Sequence, residues 1–172
     1  LFALAGLPFL YFAFSAQDSA WSPYYYVQHE QSAEGLRVYV NSSFHQLAID
    51  WSDDSPEARG LQKMMLARFG VPYDVYRDMH DGSAPKKVLV LGAGTGNDVQ
   101  VALLNQAEQV VAVEIDPVIL SLGRDLNPAR PYADPRVRAV VDDARHFLRT
   151  SRERFDLIIF GTLDSQVLLS SS

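Results

Sequence analysis

The chain has 172 residues, of which 48% are apolar, a composition that predicts a globular protein with a hydrophobic core rather than a disordered one. Its formal net charge of −6 argues against nucleic acid as a partner, because binding phosphates needs a basic stripe and the Lys and Arg residues here are scattered among carboxylates. The absence of cysteine excludes disulfides, thiolate zinc sites and thiol nucleophiles, and is consistent with a reducing compartment.

Residues 1–16 form an uncharged apolar run in which Pro8 is the helix breaker. The run falls a few residues short of the roughly 20 that cross a bilayer, and we favour the end of a transmembrane helix that begins upstream of Leu1. A secretory signal and a buried core helix are the alternatives, although the basic region and cleavage site of a signal are not evident. The sequence also stops directly after a strand-like segment, so we expect the domain to be truncated at its C-terminus.

Residues 17–56 are predicted to form a polar linker followed by a small antiparallel β-region. The linker covers residues 17–22. Short β-prone stretches separated by turn residues then occur at residues 24–27, 36–40 and 46–49.

A helix is predicted over residues 57–69, after an acidic break marked by proline. Gly70 follows its end, as is typical of helix C-termini. Apolar residues at helical spacing share one face, which usually indicates core packing, so we expect this face to be buried; it consists of Leu61, Met64, Met65 and Phe69.

Strands and helices alternate from Lys87 onward. Short runs rich in Val and Ile predict strands that are covered on both faces, at residues 88–91, 110–115, 137–141 and 155–160. Helices are predicted between them at residues 97–106, 117–126 and 144–150. This alternation is typical of parallel βαβ units with right-handed crossovers, and it predicts an α/β, Rossmann-like domain over residues 57–172.

In an open parallel sheet, ligands bind beyond the carboxyl ends of the strands. The first of these strands is followed by Gly92, Ala93, Gly94, Thr95 and Gly96. Glycines there allow a tight turn and a close approach of ligand to backbone, and the next helix directs its free N–H groups to the same space. Asn97 stands where the dinucleotide fingerprint requires Gly or Ala, which disfavours NAD.

Acids follow the second strand. Glu114 lies about 20 residues beyond the glycine loop, where a carboxylate can accept hydrogen bonds from both hydroxyls of a ribose. Asp116 precedes Pro117, which is typical of a helix N-cap, and for Asp116 we favour this structural role over ligand contact.

Acids also follow the third strand, as Asp142 and Asp143 before Ala144. One carboxylate is suited to accept a hydrogen bond from an exocyclic amine such as that of adenine, while one of the two is expected to cap the next helix. The four histidines are isolated and lack zinc-ligand spacing, so we predict no metal site.

At these residues the sequence resembles the spermidine synthase-like branch of the class-I methyltransferase fold. The resemblance extends from residue 22 to residue 164, and is carried by residues 22–24, Gln46, and residues 88–96, 113–116, 134–136, 143–144 and 155–159. It implies binding of S-adenosylmethionine or its decarboxylated form, with Glu114 on the ribose and Asp143 on the adenine. The implied binding set is Gln46, the loop of residues 92–96, Glu114, Ile115, Asp143 and Ala144.

The sequence departs from this family where catalysis is concerned. Gly161 stands at the position of the family's general base, and glycine cannot remove a proton. Asp164 matches a second acid that holds the amine substrate, and Thr95 replaces an acid of the glycine loop. Two functions therefore stay open: transfer of an aminopropyl or methyl group to a small polar or amine acceptor, and a non-catalytic ligand-sensing or structural domain.

The apolar start makes the chain similar to bacterial membrane proteins that carry a spermidine synthase-like domain. This similarity implies an inner-membrane protein whose domain faces the cytoplasm; otherwise the protein is expected to be cytoplasmic. The expected partners are the nucleoside ligand, a polyamine or other small acceptor, the membrane, and a second copy of the chain in a homodimer.

Overall fold

The computed structural model describes residues 18–161, which form two four-stranded sheets and the helices around them. In chain order the elements are β1 (Ser19–Trp21), β2 (Tyr26–Ser32), β3 (Gly35–Val40), β4 (Ser43–Ile49), α1 (Pro56–Phe69), α2 (Val71–Met79), β5 (Lys87–Leu91), α3 (Asn97–Leu104), β6 (Gln109–Glu114), α4 (Pro117–Leu126), a 3₁₀ turn (Pro131–Ala133), β7 (Val137–Val141), α5 (Ala144–Thr150) and β8 (Leu157–Phe160).

The first sheet is antiparallel, with strand order β1-β2-β3-β4, as predicted for this region. The predicted linker over residues 17–22 was wrong, because β1 lies within it. Ser19 pairs with Gln28 and Trp21 pairs with Tyr26. Backbone pairing with β2 thus orders a segment whose short polar sequence carries no strand signal of its own.

One face of this first sheet packs against α4 of the second half of the chain. The side chains that alternate inward from β2, β3 and β4 form one cluster with Ile119 of α4: Val27, Leu36, Val38, Val40 and Ala48. Burial of each of the larger side chains contributes about 1.5–3 kcal/mol. The packing therefore holds the end of β4 beside the second sheet.

The second sheet is fully parallel, with strand order β7-β6-β5-β8. Its central strand β5 is buried on both faces, as its continuous apolar sequence predicts. Val88 and Val90 pack with α3 on one side, whereas Leu89 and Leu91 pack with Phe147 of α5 on the other. The α/β Rossmann-like fold expected from the alternating pattern is confirmed.

The helix predicted over residues 57–69 is present as α1, but the expected burial of its apolar face was wrong. None of its residues is buried, and 57% of Met64 is exposed. Only the end of the helix contacts the main core, where the partly buried Phe69 packs. A second helix, α2, follows Gly70 and is anchored by the buried Tyr73; the sequence pattern did not predict it.

Several other boundaries agree with the sequence-based expectation. Helices α4 and α5 and strand β7 have the predicted limits. Strand β8 begins at Leu157, two residues later than predicted, because Asp156 is used to accept hydrogen bonds from the Lys86 and Lys87 backbone N–H groups.

Two of the sequence-based expectations fall outside the described residues. They are the apolar segment over residues 1–16 and the acid Asp164. Within residues 18–161, none of the helices combines the length and the apolar character needed to cross a bilayer.

Candidate functional site

A cavity of about 360 Å³ lies beyond the carboxyl ends of β5 and β6, the edge at which parallel sheets bind ligands. Its volume falls in the range of small-molecule sites, roughly 300–1,000 Å³. Both sheets and the end of α1 contribute to its wall, which consists of Tyr25, His45, Gln46, Arg68, Phe69, Gly92, Ala93, Gly94, Asn97, Asp98, Glu114, Ile115 and Ile119.

The glycine loop forms the floor of this cavity. Gly92, Gly94 and Gly96 all have positive φ angles, of 71°, 54° and 104°, in the left-handed region that side chains disfavour. The N–H groups of Gly92 and Ala93 both donate to the Val113 carbonyl, which ties the loop to the end of β6. The turn therefore exposes backbone rather than side chains to the cavity.

Gln46 reaches the loop from β4 of the first sheet. Its Oε1 accepts hydrogen bonds from the Thr95 backbone N–H at 3.2 Å and from the Thr95 hydroxyl at 3.0 Å. Its Nε2 is buried and has no hydrogen-bond partner among residues 18–161. Gln46 thus brings to the cavity wall a donor that a ligand acceptor can satisfy.

Glu114 ends β6 and is only 7% exposed. Its Oε2 accepts a hydrogen bond from the Gly94 N–H at 2.7 Å, and its Oε1 accepts one from the Asp116 N–H at 2.9 Å. Burial raises the pKa of Glu114, while these two backbone donors and the nearby His45 act in the opposite direction. Each carboxylate oxygen retains a further lone pair with which to accept a ligand hydroxyl.

Asp116 caps α4, as predicted. Its Oδ1 accepts hydrogen bonds from the backbone N–H groups of Val118 at 2.8 Å and Ile119 at 3.2 Å. Its Oδ2 accepts a hydrogen bond from the Ser22 hydroxyl at 2.5 Å, which joins the start of the first sheet to this helix. Asp116 is fully buried and does not line the cavity.

The glycine loop has further supports that the sequence analysis missed. The Tyr132 hydroxyl donates to the Gly94 carbonyl at 2.8 Å, and Asn127 Nδ2 donates to the Thr95 carbonyl at 2.8 Å. Helix α4 approaches so closely that a Cβ at Gly123 would lie 2.6 Å from the Thr95 carbonyl oxygen. A glycine inside a helix was the one available sign of this contact, since such a residue often marks close packing.

Two charged residues of the cavity wall were also missed. Asp98 lies in the first turn of α3, and burial raises its pKa to about 6. Arg68 lies in the last turn of α1, with its guanidinium 5.6 Å from the centre of the Phe69 ring. The position of Asp98 directly after the glycine loop was a usable signal, whereas nothing in the sequence placed Arg68 near that loop.

The cavity brings together six of the predicted ligand residues: Gln46, Gly92, Ala93, Gly94, Glu114 and Ile115. Within the loop, Thr95 is fully buried and Gly96 is the N-cap residue of α3. Neither lines the cavity, and their predicted contact with the ligand stays a prediction.

Asp143 and Ala144 do not line the cavity either. Asp143 caps α5, where its Oδ1 accepts hydrogen bonds from the N–H groups of Arg145 at 2.8 Å and His146 at 3.0 Å. Both hydrogen bonds lower the pKa of Asp143, and the bond from His146 has the larger effect. The predicted contact of Asp143 with adenine stays a prediction.

Gly161 lies against the glycine loop at the end of β8. Its N–H donates to the Leu91 carbonyl at 2.8 Å, and a Cβ at this position would lie 2.4 Å from the Gly92 carbonyl oxygen. There is therefore no room for a side chain at position 161. In the described part of the chain, no three His, Asp or Glu residues are grouped to hold a metal ion.

Comparison with known proteins identifies the family. The family model described as "Spermine/spermidine synthase domain" matches residues 69–172, more than half of the chain. Polyamine aminopropyltransferase 1 of Pseudomonas aeruginosa is 34% identical over 85 residues, 47% of this chain and 30% of that protein. The polyamine aminopropyltransferase of Thermococcus onnurineus is 34% identical over 83 residues, 46% of this chain and 29% of that protein. These alignments thus span less than a third of each curated relative.

Solved structures agree on the fold. Spermidine synthase from Thermotoga maritima has a TM-score of 0.65 at 19% identity, covering 85% of this chain and 46% of that one. A spermidine synthase solved with the transition-state analogue AdoDATO has a TM-score of 0.64 at 18% identity, covering 84% of this chain and 46% of that one. Together with the family match, these likenesses show that the chain belongs to the spermine/spermidine synthase domain family.

Proposed function

We propose that the cavity binds an adenosyl sulfonium donor, decarboxylated S-adenosylmethionine, and that the protein transfers the donor's aminopropyl group to a small amine. The observation that carries this proposal is the carboxylate of Glu114. It is fixed at the cavity wall by the Gly94 and Asp116 N–H groups and has lone pairs to spare for a ribose diol. Relatives named as polyamine aminopropyltransferases support the choice of reaction.

The residues of the cavity fit such a donor. Glu114 would accept hydrogen bonds from the ribose hydroxyls, and the unpartnered Nε2 of Gln46 would donate to a ligand acceptor. The side-chain-free face of Gly92 and Gly94 would allow the sulfur region to lie on the backbone. Asp143 and Ala144 are proposed to contact the adenine from the end of β7, as the family resemblance implies.

The transfer forms a C–N bond between the acceptor amine and the propyl carbon attached to sulfur. The C–S bond breaks at the same carbon, its electron pair stays on sulfur, and neutral methylthioadenosine leaves. The acceptor attacks as the neutral amine, having given its ammonium proton to solvent water, because Gly161 has no group that could accept it. We propose that Asp164, the acid expected to hold the amine, positions the acceptor.

A second candidate is methyl transfer from intact S-adenosylmethionine, and Arg68 is the observation that favours it. Arg68 lines the cavity and forms no ion pair with a carboxylate of residues 18–161. A guanidinium suits the carboxylate that S-adenosylmethionine has and its decarboxylated form lacks. A third candidate, a ligand-sensing or structural domain without catalysis, is motivated by Gly161.

Calorimetry of the purified chain tests binding. We would titrate it with decarboxylated S-adenosylmethionine, S-adenosylmethionine and methylthioadenosine. The substitution Glu114→Gln should weaken all three by about tenfold or more, because it removes charged acceptors for the ribose. Glu108→Gln, an exposed acid outside the cavity, is the control and should leave affinity unchanged. If the wild-type chain binds none of the three ligands, the proposed function is wrong.

Product analysis then separates the candidates. With a panel of diamines as acceptors, aminopropyl transfer releases methylthioadenosine, whereas methyl transfer releases S-adenosylhomocysteine. Either product should disappear in Glu114→Ala. Tight binding with neither product would favour the sensing domain. Membrane attachment, orientation towards the cytoplasm and homodimer formation stay predictions.

A further inference from the structure

Asp98 lines the cavity, and its carboxylate has no partner within residues 18–161. None of residues 18–161 donates a hydrogen bond to it or forms an ion pair with it. Glu114, on the same cavity, differs because backbone N–H groups hold both of its oxygens. Withdrawing a carboxylate from water without a partner costs free energy, so a ligand cation at Asp98 would be strongly favoured.

The surroundings of Asp98 supply further polar atoms without partners. The Oδ1 atom of the adjacent Asn97 is buried and accepts no hydrogen bond within residues 18–161, while its Nδ2 donates to the Leu47 carbonyl at 2.7 Å. The buried hydroxyl of Tyr73 interacts electrostatically with Asp98 and also has no hydrogen-bond partner in this part of the chain. The carboxylate and amide oxygens are both acceptors, and an ammonium group presents three donors.

The position of Asp98 differs from that of an ordinary first-turn acid. An acid in the first turn of a helix interacts favourably with the helix dipole, and it can do so while it is exposed to water. Asp74 occupies the first turn of α2 in that way, with a side chain that is 76% exposed and an ion pair to Arg77 at 3.3 Å. Asp98 has the same helical position but is only partly exposed, faces the cavity and has no partner within residues 18–161, which suits a ligand-binding acid.

We infer that Asp98 binds the ammonium group at the end of the donor's aliphatic chain. This inference rests on the proposed function, since the adenosyl part must occupy the cavity for the chain to reach Asp98. Thr95, buried and hydrogen-bonded to Gln46, is not available for this contact. Asp98 is therefore a residue that selects charged donors over the uncharged thioether product.

Calorimetry with two ligands tests the role. Decarboxylated S-adenosylmethionine carries the ammonium group, and methylthioadenosine shares its nucleoside but lacks it. We expect Asp98→Asn to weaken the first by about tenfold or more and to leave the second nearly unchanged. Binding of methylthioadenosine also reports that the variant is folded. Asp98→Glu, which keeps the charge, should retain most of the donor affinity.

The control is Asp74→Asn, which removes the equivalent first-turn acid from α2 and should alter neither affinity. Asp98→Ser repeats the test with a side chain that suits the start of a helix, should the asparagine variant fail to fold. Thermal denaturation without ligand gives a further readout: loss of a ligand-binding acid should raise the Tm, whereas loss of a structural acid should lower it.

The outcomes are distinct. Equal loss of affinity for both ligands, or no loss for either, overturns the role of Asp98 while the proposed function stands. If wild-type chain binds neither ligand, the proposed function fails and the inference fails with it. Selective loss of donor affinity in Asp98→Asn, with unchanged affinities in Asp74→Asn, supports the inference.

Discussion

The side-chain amide of Gln46 occupies the space that a Cβ at position 94 would need. A Cβ at position 94 would be 2.6 Å from Gln46 Oε1, closer than real contacts allow, and 3.1 Å from Nε2, a tight contact. The φ angle of Gly94 is +54°, which independently disfavours a side chain. Together with the hydrogen bonds of Gln46 to Thr95, this contact connects the first sheet to the glycine loop.

Gly94→Ala should therefore both destabilise the protein and weaken ligand binding. We expect a loss of about 2–4 kcal/mol in the free energy of unfolding, from left-handed strain together with the displaced Gln46 amide. Methylthioadenosine affinity should fall by about tenfold or more, because Gln46 would lose its hydrogen bonds to Thr95. Urea denaturation and calorimetry measure the two effects.

Gly82→Ala is the matched control. Its φ angle is +80°, but nothing lies within 4 Å of an added Cβ, and Gly82 does not line the cavity. It should cost only the backbone strain, about 1 kcal/mol, and leave ligand affinity unchanged. Equal effects of the two substitutions would show that the Gln46 contact does not restrict position 94.

Tyr132→Phe tests whether the Tyr132 hydroxyl stabilises the glycine loop. The substitution removes the hydrogen bond of the hydroxyl to the Gly94 carbonyl and retains the ring, which packs against Gly96 and Gly123. We expect a loss of about 1 kcal/mol in unfolding free energy and a measurable fall in nucleoside affinity. Tyr39→Phe, which loses an exposed hydrogen bond to Glu30, should change stability by less than about 0.5 kcal/mol and leave affinity intact.

The parts of the site that sequence predicted are those encoded locally. The glycine loop, the acid Glu114 at a strand end and the Asp116 cap each depend on residues within a short stretch, and parallel topology places strand ends at one edge. Periodicity likewise gave the limits of α4 and α5.

The parts that sequence did not predict depend on contacts between distant segments. Strand β1 forms because it pairs with β2, and α1 stays largely exposed because only its end meets the core. Arg68 reaches the cavity because α1 ends at its wall, and Tyr132 reaches Gly94 from 38 positions away. Gln46 falls between these two groups of residues. The family resemblance indicated it as a ligand residue, but no local sequence pattern did.

Gly161→Ala tests whether glycine is required where a catalytic base was expected. An added Cβ would lie 2.4 Å from the Gly92 carbonyl oxygen, a backbone atom that cannot move without disturbing the loop. We expect a loss of about 1–3 kcal/mol in unfolding free energy, with weaker binding of methylthioadenosine. Gly60→Ala, at a helical position with nothing within 4 Å, is the control and should be neutral or stabilising.

An acid at position 161 should accordingly fail to create a base. Gly161→Asp has the same clash, so the substitution should lower stability at least as much as alanine does, and no gain in product formation is expected. An alanine variant with wild-type stability and affinity would contradict this account, because the backbone would then have room for a side chain.

The last prediction concerns pH. Burial raises the pKa of Asp98 to about 6 in the folded protein, above the value of 3.8 that an unperturbed aspartate has. The folded state therefore holds the Asp98 proton more tightly than the unfolded state does. The contribution of this group to stability is full below pH 4, falls as pH rises from about 4 to 6, and is lost above pH 6.

The shift of about two pKa units corresponds to an upper limit of roughly 3 kcal/mol. Asp98→Asn removes this titration. Below pH 4, the free energies of unfolding of variant and wild type, measured by urea denaturation, should depend on pH in the same way. Between about pH 4 and pH 6, the free energy of unfolding of the variant should rise increasingly above that of the wild type. Tyr73, Tyr132 and Glu114 face the same region, and they are unchanged in the variant, so the difference between the two curves isolates Asp98. A difference that is constant across this range would mean that Asp98 titrates as it does in water, because its carboxylate would then be solvated rather than held for a ligand.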